Sequence, residues 1–199
     1  SLRLTGFRKT KEQGLFHLGA SFSYQEINES VNFSVKGEVK TRENLSLLTT
    51  GDIEALSYQV SAAEFAYQYS SLLLQTEFLN TTVERRQGLD SLRFSGYQFG
   101  LSYLFNGLRR RYKLDDGVFQ APHFNDQAKA YELAFRLSQI SLNDDKLRAG
   151  ELQSITVACN WYISPSIKLA SNLVRSIKKK DNEAKEQRDS FALRLQTLF

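Results

Sequence analysis

Apolar and polar residues alternate at every second position along most of the chain, and no stretch shows a convincing helical period of 3.6 residues. At the end of the chain Phe191, Leu193 and Leu195 fall on one side, and Arg194 and Gln196 fall on the other. Because side chains alternate between the two faces of a strand, this pattern predicts β-strands. About ten strands are predicted, at residues 1–8, 15–25, 31–39, 56–69, 72–84, 91–105, 128–143, 151–163, 167–178 and 190–199.

The predicted strands are long for a soluble protein. Several exceed ten residues, whereas strands of soluble proteins are usually about 5–6 residues long. A tilted strand needs about 9–11 residues to cross a membrane. In lipid, only a closed barrel pairs every strand edge. The pattern therefore predicts an all-β fold, an antiparallel transmembrane β-barrel with lipid on the apolar face and water on the polar face. The alternative is a soluble β-sandwich or barrel, whose strands also alternate.

The predicted connections differ in length. The short ones are residues 27–30, 69–71 and 164–166, and the longer ones are residues 85–90, 143–150 and 178–189. Long loops at one end and short turns at the other are typical of transmembrane barrels, in which the short turns are periplasmic. One connection departs from this rule, because residues 106–127 are long but fall at the end with the short turns.

Composition excludes several other classes of protein. A net charge of +4 over 199 residues is too small to indicate nucleic-acid binding. The single cysteine, Cys159, excludes an internal disulfide, and no run approaches the roughly 20 apolar residues of a membrane-spanning helix. Two histidines without partners at ligand spacing predict no metal site, and we expect neither a cofactor nor an enzyme activity. The chain lacks methionine and a signal peptide, so we expect it to begin at a processing site or inside a longer protein.

From Tyr97 onward the chain resembles the phosphate-selective porin family, the anion porins of Gram-negative outer membranes. The similar stretches are GYQFGLSYLFNGLRRRYKLDDGVF, AYELAFRLSQISLND, NWYISPSIKL and FALRLQTLF, with LFHLGASFSYQ and LTTGDIEA further upstream. Members of this family have sixteen strands and assemble as trimers. The resemblance implies that residues 1–199 form one porin domain that supplies the C-terminal ten strands of a longer chain. A ten-stranded barrel that closes on itself is the alternative. The terminal Phe199 resembles the signal that outer-membrane proteins present to their assembly machinery.

The resemblance also implies where the pore is narrowed. In this family two extracellular loops and one periplasmic segment fold inward. Here the second of those loops would be residues 40–55, and the periplasmic segment would be residues 106–127, the connection that departs from the length rule. Leu108 stands where the family usually has an acidic residue, and Arg109 and Arg111 add cations, so this segment is more basic than usual.

An anion pore needs fixed positive charge along a narrow aqueous path. Arginine suits phosphate because its planar guanidinium donates two parallel hydrogen bonds to oxyanion oxygens. The candidate anion-binding and pore-lining residues are Lys40, Arg42, Arg109, Arg110, Arg111, Lys113, Arg136, Lys168 and Arg194. Within this set, Lys40, Arg42 and Arg109–Arg111 are the predicted selectivity residues.

Carboxylates on the same face would balance part of this charge. They are Glu64, Glu77 and Glu132. Glu132 and Arg136 lie four residues apart on one strand, about 13 Å, which is too far for direct contact. We expect either of them to pair with a neighbouring strand instead.

The sequence thus predicts an outer-membrane porin through which small anions diffuse, with phosphate or polyphosphate expected from the family. Expected partners are outer-membrane lipid, lipopolysaccharide and two further copies of the chain, and no nucleic acid. The alternative is a non-conducting barrel that serves as an adhesin or another surface interaction protein. The sequence leaves the permeating anion open.

Overall fold

The computed structural model describes residues 1–10, 14–36, 46–122, 129–181 and 183–197. They form β1 (Leu2–Lys9), β2 (Gly14–Glu26), β3 (Ser30–Lys36), β4 (Ser46–Tyr69), β5 (Leu72–Arg85), β6 (Leu92–Leu104), β7 (Arg110–Lys113), β8 (Val118–Pro122), β9 (Ala130–Asp144), β10 (Leu147–Ser164), β11 (Ile167–Lys179) and β12 (Glu186–Thr197). Among these residues there is no helix with the length and apolar character needed to cross a membrane.

Nine strands follow one another in a single antiparallel sheet. Their order is β1-β2-β4-β5-β6-β9-β10-β11-β12, so each strand lies beside its neighbour along the path of the chain. Within the described residues, β1 and β12 each pair on one side only, and the sheet is open rather than closed into a barrel. The predicted all-β antiparallel class is confirmed, whereas the number of strands in a complete barrel stays a prediction.

The position of β3 differs from the sequence prediction. A short turn at residues 27–30 was expected to join two neighbouring strands of the wall, but β2 pairs directly with the second half of β4, from Ser57 to Tyr69. β3 pairs instead with the first half of β4 and lies off the main path. The alternation in β3 is real, but its apolar residues Val31 and Phe33 pack on a cluster of the same chain rather than facing outward.

Two predicted loops are partly strand. β9 continues to Asp144 and β10 begins at Leu147, while β11 continues to Lys179 and β12 begins at Glu186. Charged side chains pair across the second of these hairpins, with Arg175 Nε 2.8 Å from Asp189 Oδ1. The sequence pattern started β10 and β12 too late. The first residues of β12 are charged and polar, and those of β10 include Leu147 and Ala149, which pack in the apolar cluster with Leu48.

The main sheet has an apolar face and a polar face. The apolar face exposes Leu18, Phe22, Phe78, Tyr97, Leu133, Phe135, Val157, Leu173, Phe191 and Leu193. The polar face carries His17, Glu64, Gln68, Glu77, Gln98, Glu132, Arg136, Asn160, Lys168 and Arg194. A soluble protein usually places its apolar residues inside. Here large apolar side chains cover an exposed face, and buried groups include polar ones.

Two hairpins lie on the polar face, near opposite ends of the strands. The β3–β4 hairpin, described at residues 30–36 and 46–54, packs Leu48 and Ile53 against Val83, Leu92 and Phe94 of β5 and β6. The β7–β8 hairpin, residues 110–122, lies at the end where a tight turn joins β4 to β5. Both hairpins therefore occupy the side of the sheet that carries the polar side chains.

Candidate functional site

The turn of the β7–β8 hairpin fits closely against β1. Gly117 has a φ of +61°, and a Cβ added there would lie 2.6 Å from Thr5 Oγ1. This position therefore needs a glycine for its backbone conformation and for space. Tyr112 of β7 packs its ring against Phe119 of β8 and Phe7 of β1.

A buried ion pair holds the hairpin against β9 and β10. The Glu132 side chain is 1% exposed and accepts hydrogen bonds from Arg110 Nη2, from Asn160 Nδ2 at 2.9 Å and from Tyr162 Oη at 2.9 Å. Gln68 Nε2 of β4 donates to the Arg110 carbonyl at 3.2 Å. Burial alone would lower the pKa of the Arg110 guanidinium, but the adjacent Glu132 outweighs this and raises that pKa. Arg110 is thus a permanently charged group whose charge Glu132 balances.

A second polar cluster holds the hairpin against β1, β2 and β4. His17 is 4% exposed, and its Nδ1 shares a hydrogen bond of 2.6 Å with Tyr112 Oη. Glu64 lies 3.6 Å from His17 Nε2 and accepts from Arg3 at Nε (3.0 Å) and Nη2 (2.7 Å). Arg3 Nη1 also donates to the Asp116 carbonyl at 3.0 Å. Burial raises the pKa of the Tyr112 phenol. The hairpin is therefore fixed at both sides.

A basic cavity lies beside the hairpin. It has a volume of about 510 Å³, and Lys9, Arg109, Arg110 and Arg111 lie in its wall. No carboxylate lines it among the described residues, and none of those residues forms an ion pair with Lys9, Arg109 or Arg111. Because Glu132 balances Arg110, the positive charge of this cavity comes from the other three cations.

The other candidate anion-binding residues that the structure describes lie at separate places outside the basic cavity. Lys113 pairs with Asp116 at 2.6 Å, and this hydrogen bond raises the pKa of the Lys113 ammonium. Arg136 lines a different cavity of about 310 Å³ on the polar face, which Arg110 also borders. Lys168 lies over the Tyr162 ring, 5.1 Å from its centre. These cations are therefore distributed along the polar face rather than gathered at one point.

Arg194 is exposed on β12 opposite Ala170, so it shares the polar face with Lys168. Three other predicted positions, Lys40, Arg42 and Phe199, lie outside the described residues.

The sequence analysis did not select Lys9, which ends β1 beside the basic cavity. Lys9 lies six residues after Arg3, so the alternation places both cations on the same face of β1, and this was the available signal. The predicted partner of Glu132 was a neighbouring strand. The neighbouring β10 does supply Asn160 and Tyr162, but the cation comes from the β7–β8 hairpin.

Among the residues that the structure describes, no group of three or more histidine, cysteine, aspartate or glutamate side chains could hold a metal ion. What the geometry offers is a polar face with a basic cavity beside the β7–β8 hairpin.

Comparison with known proteins gives one result for nearly the whole chain. The family model described as phosphate-selective porin O and P matches residues 10–199. No curated protein matches the chain.

Proposed function

We propose a function from one premise: this chain belongs to the phosphate-selective porin O and P family. We infer that it forms part of the wall of a porin in a Gram-negative outer membrane, and that small anions diffuse along its polar face. The family is one of channels, so the proposal assigns no enzyme activity. The same match does not favour the alternative of a non-conducting adhesin.

The two faces of the sheet support the membrane part of this proposal. Phe191, Leu193 and Leu195 of β12 are each more than 60% exposed, as are Leu2 and Leu4 of β1. Lipid would cover such a face, and water would fill the space beside the polar face. In lipid an unpaired strand edge leaves backbone groups without hydrogen bonds. We therefore propose that further strands pair with β1 and β12 and close the barrel, so that the chain supplies the C-terminal part of a larger one.

The basic cavity supports the proposal that the permeating solutes are anions. Lys9, Arg109 and Arg111 surround it, and the described lining contains no carboxylate to balance them. Fixed cations in a narrow path attract anions, and each guanidinium can bind two oxygens of a phosphate at once. The residues that we propose to determine selectivity therefore differ from those predicted from the sequence. Arg110 holds the hairpin in place, while Arg109, Arg111 and Lys9 provide the field, together with Lys40 and Arg42 as untested members.

The family further implies a homotrimer in contact with lipid and lipopolysaccharide, and recognition of Phe199 by the assembly machinery. We include these partners in the proposal as expectations from the family. Phosphate or polyphosphate is the proposed substrate class, since both present oxyanions to the arginine side chains.

A triple variant tests the anion site. Lys9→Gln, Arg109→Gln and Arg111→Gln together should weaken anion selectivity in a planar bilayer under a potassium chloride gradient, and should weaken the block of chloride current by phosphate. A matched triple variant at the opposite ends of the strands, with glutamine at Arg93, Lys146 and Arg148, removes the same charge and should behave as the unmodified protein. Unchanged selectivity in the first variant would contradict the proposed site.

A further inference from the structure

The β3–β4 hairpin leaves and rejoins the main sheet at one place. The chain departs from β2 after Glu26, and the second half of β4 begins to pair with β2 at Ser57. At this junction Ile27 N donates to the Leu56 carbonyl at 2.8 Å. The departing and returning segments are therefore adjacent, and whatever fixes them sets the angle at which the hairpin lies on the polar face.

One side chain binds both segments. Arg86 follows the last residue of β5, and its Nε donates to the Ala55 carbonyl at 3.0 Å. Its Nη2 donates to the Ile27 carbonyl at 2.9 Å and also to the Asn28 carbonyl. A single guanidinium thus joins two carbonyls of the departing segment and one of the returning segment. The Arg86 backbone N adds a bond of 3.1 Å to the Glu54 carbonyl.

The underside of the hairpin is apolar and closely packed. Leu48 is 2% exposed and packs in the cluster that contains Leu142 and Leu152 of the main sheet. Gly150 on β10 has a φ of +109°, and a Cβ added there would lie 3.0 Å from Leu48 Cδ2. The described part of the hairpin therefore packs tightly on the sheet, so that its position is defined by contacts on both its base and its underside.

We propose that Arg86 is a positioning residue that holds the β3–β4 hairpin across the pore and so sets the width and selectivity of the path. This rests on the proposed function, because the hairpin narrows a pore only if the polar face lines one. Lys36 at the end of β3 is then held beside Glu77 and Gln98, with which it lines a cavity of about 250 Å³. Arg86 acts through the hairpin and has no contact with the permeating anion in this assignment.

The chemistry of arginine explains why this residue type is needed. Its planar group presents five N–H donors in a fixed arrangement, which lets one side chain reach three carbonyls that point from two segments. A lysine has the same charge but a single nitrogen on a flexible stem, so it cannot hold the same three acceptors in one geometry. Removing the guanidinium leaves those carbonyls without their partner and frees the base of the hairpin.

Single-channel recording of the assembled protein in planar bilayers tests the proposal. Arg86→Ala should raise the unit conductance, increase the current noise and shift the reversal potential toward zero. Arg86→Lys should give an intermediate result. The matched control is Arg85→Ala, because Arg85 is its neighbour, carries the same charge and donates through Nε to the Asp90 carbonyl of the same turn. That control should leave conductance and selectivity unchanged.

The outcomes separate the two proposals. If the unmodified protein conducts selectively but Arg86→Ala and Arg86→Lys keep its conductance and reversal potential, the positioning role is wrong while the porin function stands. If the unmodified protein folds but does not conduct, the proposed function itself fails. Should Arg86→Ala not fold, the lysine variant decides, since a conductance and selectivity equal to those of the unmodified protein would overturn the proposal.

Discussion

The ion pair between Glu132 and Arg110 gives the most demanding prediction. Glu132→Gln removes the negative charge but keeps the size of the side chain. Glu132 is 1% exposed and the Arg110 side chain 18% exposed, so the cation left behind is poorly solvated. Breaking a buried ion pair in this way costs about 3–5 kcal/mol. Because Arg110 keeps some contact with water, we expect the free energy of unfolding to fall by roughly 3 kcal/mol.

A double-mutant cycle isolates the pair. Arg110→Met alone leaves Glu132 unpaired and should be similarly costly, whereas Arg110→Met with Glu132→Gln removes both charges and should recover much of the loss. The same variants should change selectivity in opposite directions. Glu132→Gln exposes an unbalanced cation and favours anions, Arg110→Met disfavours them, and the double variant returns close to the starting value.

The measurement is denaturant-induced unfolding in lipid vesicles, followed by the fluorescence of Trp161, the single tryptophan of these 199 residues. Glu77→Gln serves as the control, because Glu77 lies on the same face and accepts one hydrogen bond from Gln98 Nε2 at 2.8 Å. The glutamine amide oxygen can still accept from Gln98 Nε2, so this change weakens one hydrogen bond and should cost at most about 1 kcal/mol. If Glu132→Gln proved no more costly than Glu77→Gln, the buried pair would not be what fixes the hairpin.

Three further predictions follow from single contacts. Gly150→Ala should lower the free energy of unfolding by about 3 kcal/mol, because its φ is +109° and the new Cβ would lie 2.9 Å from the Lys179 carbonyl oxygen; the same vesicle unfolding assay measures this. Tyr112→Phe should cost about 1–2 kcal/mol in that assay, since it removes the 2.6 Å hydrogen bond to buried His17. Trp161 fluorescence should be quenched by brominated lipid and not by iodide in the aqueous phase, because its strand turns it to the apolar face.

Each of these has a control or a contrary result. Gly88→Ala also places alanine at positive φ, +68°, but nothing lies within 4 Å of the new Cβ. It should therefore cost only about 1 kcal/mol. Equal losses at Gly88 and Gly150 would refute the steric argument. If Tyr112→Phe were as stable as the unmodified protein, the hydrogen bond to His17 would not contribute to stability, and Arg3 and Glu64 alone would hold the hairpin at the second cluster. Quenching of Trp161 by iodide would show that the apolar face is in contact with water.

The alternation of apolar residues predicted most of the main sheet. In β6 from Tyr97 to Tyr103, and in β10 from Ile155 to Trp161, the outer face is apolar and the other face is polar or small, so the alternation is regular there. It failed where a strand packs differently. The apolar residues of β3 face a cluster formed by the β3–β4 hairpin and the sheet, and the alternation alone cannot tell that environment from lipid.

The pairing of Arg110 with Glu132 could not be predicted from the sequence, for a different reason. Arg109, Arg110 and Arg111 are chemically identical in the sequence, and only the register of β7 on the polar face decides which one meets Glu132. The resulting contact joins residues 22 positions apart. Arg86 is a similar case. The sequence alone predicts that an arginine in a turn is a solvated charge, and only the structure shows the carbonyls that it contacts. Local pattern predicts strands, while such side-chain roles depend on tertiary contacts.

The reversal potential of the assembled protein tests the central claim most directly. It would be measured in a planar bilayer under a potassium chloride gradient, with phosphate added afterwards. The account predicts a reversal potential near that of chloride and a chloride current that phosphate reduces, because cations dominate the narrow part of the polar face. A reversal potential near that of potassium would contradict it and would show that the carboxylates of that face control permeation.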